Sequence, residues 1–164
     1  MNSTLLWAVT GLLVLLGLLA FLRLGTDPSD PRQHLRAVKR AGFEARPVLN
    51  RSEMTRLVWF EEWARGKPYR VLAQVPYGEM MRTKEPAAFR AVNAKRADFL
   101  VIDAAGLPLV AIEYQGEGHY QGDAKARDAV KRAALARANI ALVELFPEDD
   151  RTEAIAAIEA ALSD

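Results

Sequence analysis

The chain has no cysteine and only two histidines, His34 and His119. A disulfide framework is therefore impossible, and thiolate-bound zinc, iron–sulfur clusters and thiol catalysis are excluded. An excess of either charge is lacking too: 22 Lys+Arg stand against 21 Asp+Glu, a formal net of +1. That balance neither requires nor forbids a nucleic-acid partner, because a basic groove can sit inside a neutral total. What is abundant is apolar: 51% of 164 residues are hydrophobic, too many for a disordered chain and enough for one ordinary domain.

Ionisable side chains are missing altogether from residues 1–22, and Leu5 to Leu22 has Thr10 as its one clearly polar member. At about 1.5 Å per residue such a run reaches roughly 27–30 Å, the thickness of a bilayer's hydrocarbon core. Residues 1–24 thus read as a transmembrane anchor. A cleaved signal peptide is the alternative, but Met1 to Thr4 lack the basic start and Phe21-Leu22-Arg23 is a poor cleavage context. Arg23, Arg32, Arg36, Lys39 and Arg40 all follow the run, which predicts a single-pass membrane protein whose soluble domain faces the cytoplasm. Residues 25–45, with Pro28 and Pro31 close together, read as a polar linker, and 46–164 as an α/β domain.

Within that domain Asn50-Arg51-Ser52-Glu53 has the form of a helix start, Asn50 as N-cap and Glu53 in the capping-box position. Gly66-Lys67-Pro68 ends the helix, and Tyr69 to Val75 is β-prone. Gly78 to Arg96, polar, basic and interrupted by Pro86, reads as a loop with a turn of helix. Two apolar strands follow, Asp98 to Asp103 and Leu109 to Gln115, joined by Ala104-Ala105-Gly106-Leu107. A hairpin centred there pairs positions that sum to about 211, which sets Asp98 opposite Glu113, with Gln115 on the same face as Glu113.

Two carboxylates ~4.5–5.5 Å apart at Cβ repel, and apolar surroundings raise the cost unless a positive charge lies between them. A divalent cation solves this, and Mg²⁺ prefers a few carboxylates plus water and phosphate oxygens. Such an ion activates water and stabilises charge on a phosphoryl group, as phosphodiester hydrolysis requires. The plainer reading is that Asp98 opens a strand and Glu113 pairs with a nearby basic side chain. A one-residue slip of register would separate the two acids.

Gly116 to Gly122 forms a polar loop carrying His119, either a proton or phosphate donor or an exposed bystander. A helix from Asp123 to about Ala138 follows, with Lys125, Arg127, Lys131, Arg132 and Arg137 against Asp123 and Asp128. Asp128 and Lys131 are spaced to pair on the helix surface, or Lys131 reaches the acidic pair and stabilises negative charge. Ile140 to Leu145 suits a last strand, and Asp150 with Glu153 caps a final helix.

This order of elements, with Asn50-Arg51-Ser52-Glu53, Ala97-Asp98-Phe99, Ile112-Glu113-Tyr114-Gln115-Gly116, His119 and Arg127-Asp128-Ala129-Val130-Lys131, resembles the PD-(D/E)xK nuclease superfamily. From about Pro47 to Leu145 the chain is similar, within that superfamily, to a bacterial domain family of unknown function related to very-short-patch-repair endonucleases. The resemblance implies a restriction-endonuclease-like mixed sheet flanked by helices, here behind one N-terminal transmembrane helix. It also implies Mg²⁺, with Mn²⁺ as a substitute, held by Asp98 and Glu113 with Glu53 as a further ligand unless it serves only as a cap. Two departures stand out: Ala97 replaces the motif's proline, and Gln115 stands where its lysine is usual. A lysine moved to the helix would favour Lys131.

Two functions follow. One is a membrane-anchored, metal-dependent nuclease in which Asp98 and Glu113 hold the cation, Gln115 orients water, Lys131 stabilises phosphate charge and His119 assists; DNA ranks ahead of RNA as substrate. The other is an inactive nuclease-fold module that binds nucleic acid or a protein partner at the membrane.

Overall fold

The computed structural model describes residues 7, 11–16, 30–115 and 124–163, and the chain divides into two compact units, Met1–Arg46 and Pro47–Asp164. In the first unit residues 11–16 are helical, and α1 covers Pro31–Arg40. The structure corrects the linker reading at α1, because Pro31 does not break this helix. It sits instead at the first helical position, where its missing N–H is not needed, and Asp30 caps the end by accepting from the Arg32 N–H at 2.9 Å.

The expected transmembrane helix, and the single-pass, cytoplasm-facing placement built on it, must be corrected. Among the described residues no helix is long and apolar enough to cross a membrane. Most of the rest of the apolar run lies outside the described residues.

The second unit opens with α2, Arg51–Ala64, whose capping box forms as the sequence suggests: Asn50 accepts from the Glu53 N–H at 2.9 Å and Glu53 accepts from the Asn50 N–H at 2.8 Å. Then come β1 (Tyr69–Pro76), α3 (Tyr77–Met80), α4 (Pro86–Val92), β2 (Arg96–Asp103), β3 (Pro108–Tyr114), α5 (Ala124–Arg137), β4 (Ala141–Leu145) and α6 (Arg151–Ser163). The four strands form one mixed sheet in the order β1-β2-β3-β4. The first three are antiparallel neighbours. β4 runs parallel to β3, a pairing that needs a long crossover, which α5 supplies.

The β2–β3 register is set by a tight turn. Asp103 accepts from the Ala105 and Leu107 N–H groups at 2.9 and 2.8 Å, and Gly106 takes φ +85°, a left-handed conformation open to glycine. Phe99 pairs with Ile112, Leu100 with Ala111 and Val101 with Val110, with the register shifting only between Val101 and Ile102, next to the turn.

Alternation along the strands then builds two cores. Phe60 and Trp63 of α2 and Ile158 of α6 pack with Phe99, Val101, Val110, Ile112, Val143 and Leu145 on one face. Tyr77, Met80, Val92 and Leu135, from α3, α4 and α5, pack with Leu100 and Ala111 on the other. This second face also carries Glu113, two residues from Ala111, and Asp98, two residues from Leu100.

Candidate active site

Glu113 is the buried acid of the second face, only 7% exposed at the end of an apolar strand. Its surroundings do not leave it bare. Lys131, from the middle of α5, places Nζ 2.6 Å from Oε2, and the Tyr77 hydroxyl donates to Oε1 at 2.9 Å. Tyr77 is itself fully buried on a one-turn helix, tied down by its N–H donating to the Lys95 carbonyl at 2.8 Å. Burial pushes the Glu113 carboxyl up from the ordinary glutamate value, opposed by the Lys131 ammonium and the Tyr77 hydroxyl, while the charge on Asp98 adds to the rise. Burial, then the Glu113 charge and hydrogen bond, raise Tyr77 far above the usual tyrosine range, with Asp98 and Asp128 adding to it.

Asp98 continues the Phe99–Ile112 register to stand across from Glu113. One carboxylate oxygen, Oδ2, accepts from the Tyr114 N–H at 2.8 Å, and the other, Oδ1, lies 3.4 Å from the Gln74 amide nitrogen. Gln74 holds φ +56° in a strand, a left-handed conformation that costs a non-glycine residue about 1–2 kcal/mol. This strain lies beside the acid, on the neighbouring strand.

A third carboxylate completes the row. Glu144 on β4 is the Cα partner of Glu113, half-buried, and receives the Gln115 amide at 3.1 Å and the Arg132 guanidinium. Lys131 and Arg132, adjacent on α5, therefore reach neighbouring strands. Among the described residues, Asp98, Glu113 and Glu144 stand against two cations, Lys131 and Arg132, and Asp128 lies close enough to act on Tyr77 as a further negative charge. A bare phosphodiester would be repelled by that excess of carboxylates, which a divalent ion would offset.

Of the residues singled out from sequence, the structure thus brings together Asp98, Glu113 and Lys131, with Gln115 one strand over on Glu144. Lys131 bonds to Glu113, where the sequence left pairing with Asp128 and reach to the acidic pair as alternatives. Glu53 does not join: its carboxylate closes the capping box, and among the described residues no three of His, Cys, Asp and Glu come together as a metal cluster. His119 lies outside the described residues. Tyr77, Glu144 and Arg132 were missed. Glu144 carries the same signal as Glu113, an acid inside an apolar strand, whereas Tyr77 has no periodicity or motif around it.

The donor set fits Mg²⁺ in kind, since that ion takes one or two carboxylates and keeps several waters. Arg56 of α2 marks the opposite face of the same sheet end. Its guanidinium lies 3.9 Å from the Tyr114 ring centre and donates to the Phe146 carbonyl at 3.1 Å, while its Nε is buried without a partner. A cleft of about 590 Å³ lies between α4 and α5 among Met81, Phe89, Val92 and Val130, and none of the row's acids lines it.

Residues 45–162 match a family described as "Protein of unknown function (DUF2726)". An uncharacterized protein of Haemophilus influenzae is 36% identical over 126 residues, covering 76% of this chain and 66% of that protein. The uncharacterized protein y4bI of Sinorhizobium fredii is 43% identical over 105 residues, covering 63% of this chain and 76% of that one. No solved structure matches. The chain belongs to the DUF2726 family, whose match takes in all three acids of the row and both of their basic partners.

Proposed function

We propose that the domain is a metal-dependent phosphodiesterase acting on nucleic acid, with chemistry of the PD-(D/E)xK kind and kinship to the very-short-patch-repair type of endonuclease. The observation that carries this is the pair Asp98 and Glu113, set across from each other on one sheet face with Lys131 on the buried acid. The chain order of helix, three antiparallel strands, crossover helix and parallel strand supports the same kinship.

In this reading Asp98 and Glu113 would hold Mg²⁺ or Mn²⁺, which when bound supplies an activated water and a counter-charge for phosphate. Tyr77 fixes the orientation of Glu113 from the buried side. Lys131 stabilises negative charge on the phosphate, the task of the usual motif lysine, from the helix. Gln115, held through its amide nitrogen by Glu144, orients water, and His119 assists. DNA is the first substrate to try and RNA the second.

A second reading is an inactive module of the same fold that binds nucleic acid or a protein. It is favoured by one observation: both oxygens of Glu113 are already engaged, and Gln115 cannot supply a lysine's charge. Incubating the full chain with DNA and RNA in Mg²⁺ or Mn²⁺ separates the two. Cleavage that disappears in Glu113→Ala supports the enzyme; no cleavage across substrates and metals supports the binding module.

A further inference from the structure

Glu113 has two oxygens and both have partners, but the partners differ in how firmly they are held. Tyr77 is fully buried and pinned at its backbone to Lys95. Lys131 is a flexible four-carbon stem whose side chain is 23% exposed. Across from it, Asp98 has one oxygen firmly bonded to the Tyr114 N–H and the other, at 3.4 Å from Gln74, only loosely held. The two acceptor positions open to exchange, Glu113 Oε2 with its flexible ammonium partner and Asp98 Oδ1 with its distant amide, thus belong to the two acids that share one face.

We propose, resting on the metal-dependent reading above, that Lys131 is an exchangeable counter-cation: a divalent ion binds by displacing its ammonium from Glu113 Oε2, and the freed Lys131 turns to the anionic ligand. An ammonium 2.6 Å from Oε2 and a dication on that same oxygen would repel strongly, so both cannot remain. The exchange leaves no bond broken except the ion pair. It also keeps the buried carboxylate neutralised at every stage, by lysine before the ion arrives and by the ion afterwards. Loading and release of the lysine become one event, so the charge meant for phosphate is available only when the metal is in place.

The test measures Mn²⁺ binding to the full chain by calorimetry, without nucleic acid and at one alkaline pH, for the wild type, Lys131→Gln and Lys131→Met. Removal of the competing charge is expected to tighten Mn²⁺ binding by roughly tenfold or more. Acylation of Lys131 in the wild type, read by mass spectrometry, is expected to speed up when Mn²⁺ is added, and this readout does not depend on either variant folding. Mn²⁺ affinity that neither variant raises above the wild type, or Lys131 acylation unmoved by Mn²⁺, overturns the exchange and leaves the metal reading standing. Absence of Mn²⁺ binding in all three proteins overturns both.

Discussion

Lys131 of α5 and Glu113 of β3 form an ion pair with Nζ 2.6 Å from Oε2, across a crossover that separates them by 18 residues. A buried acid needs such a partner, and one that is helix-borne and partly exposed also links the acid to whatever occupies the open side of the sheet face. The relation gives Glu113 two separable properties, one chemical and one thermodynamic.

Glu113→Gln separates them. Burial raises the native carboxyl above its unfolded value, so between those two values the folded chain binds more protons and stability falls as pH rises through that window. The variant lacks this fall. Its melting temperature relative to the wild type is therefore expected to improve from acidic to neutral pH, while cleavage drops by roughly 100-fold or more. Thermal melts across pH, run beside a cleavage assay, check both; a gap in melting temperature that does not move with pH contradicts the burial argument.

Tyr77→Phe leaves Oε1 of a buried carboxylate without its donor. A hydrogen bond to a charged group contributes about 1.5–3 kcal/mol, so urea denaturation should show a loss within that range. In the enzyme reading cleavage weakens but survives, because Tyr77 positions Glu113 without itself touching phosphate. A variant as stable as the wild type would mean that the hydroxyl bond contributes nothing.

Much of this arrangement was legible beforehand, for local reasons. The β2–β3 pairing followed from apolar alternation and a glycine-containing loop, and the observed pairs Phe99–Ile112 and Leu100–Ala111 sum to the expected 211. Both capping boxes, at Asn50 and Asp150, are short-range hydrogen bonds written in three or four residues. The segment from Gly78 to Arg96 was illegible because α3 and α4 are only 4 and 7 residues long, and short helices owe their form to packing rather than to a periodic pattern. Tyr77 became a site residue only through contact with a strand 36 positions away. The span expected from the length and apolarity of the N-terminal run is not matched by any helix among the described residues.

Glu53→Gln tests the ligand role that the family resemblance implied. The carboxylate is engaged in the Asn50 cap, so the substitution, which keeps an acceptor for that N–H, is expected to cost at most about 1 kcal/mol and to leave Mn²⁺ affinity unchanged. Parallel calorimetry and thermal melts decide it. A marked loss of metal binding with intact stability would restore Glu53 to the site.

Arg56→Lys probes the opposite face of the same sheet end. Lysine keeps the charge but loses the planar stacking on Tyr114, which fastens α2 to β3, and the fork that donates at once to the Phe146 carbonyl after β4 and to the Ser52 carbonyl within α2. A loss of about 1–3 kcal/mol in chemical denaturation is expected. Because the residue lies behind the sheet, cleavage by the folded fraction should persist; a dead but stable variant would place Arg56 in the chemistry.

Arg132→Ala addresses how the domain meets nucleic acid. Arg132 is more than half exposed while paired to Glu144, so it can exchange that carboxylate for a phosphate at little cost in burial. Each phosphate neutralised by a basic side chain contributes roughly 0.7–0.9 to the slope of log affinity against log salt. The variant is therefore expected to bind DNA more weakly at low salt and to flatten the slope by about one contact, with the two proteins converging as salt rises. Fluorescence anisotropy over a salt series measures both quantities. An unchanged slope with unchanged affinity would remove Arg132 from the interface and leave the phosphate contact on α5 to Lys131.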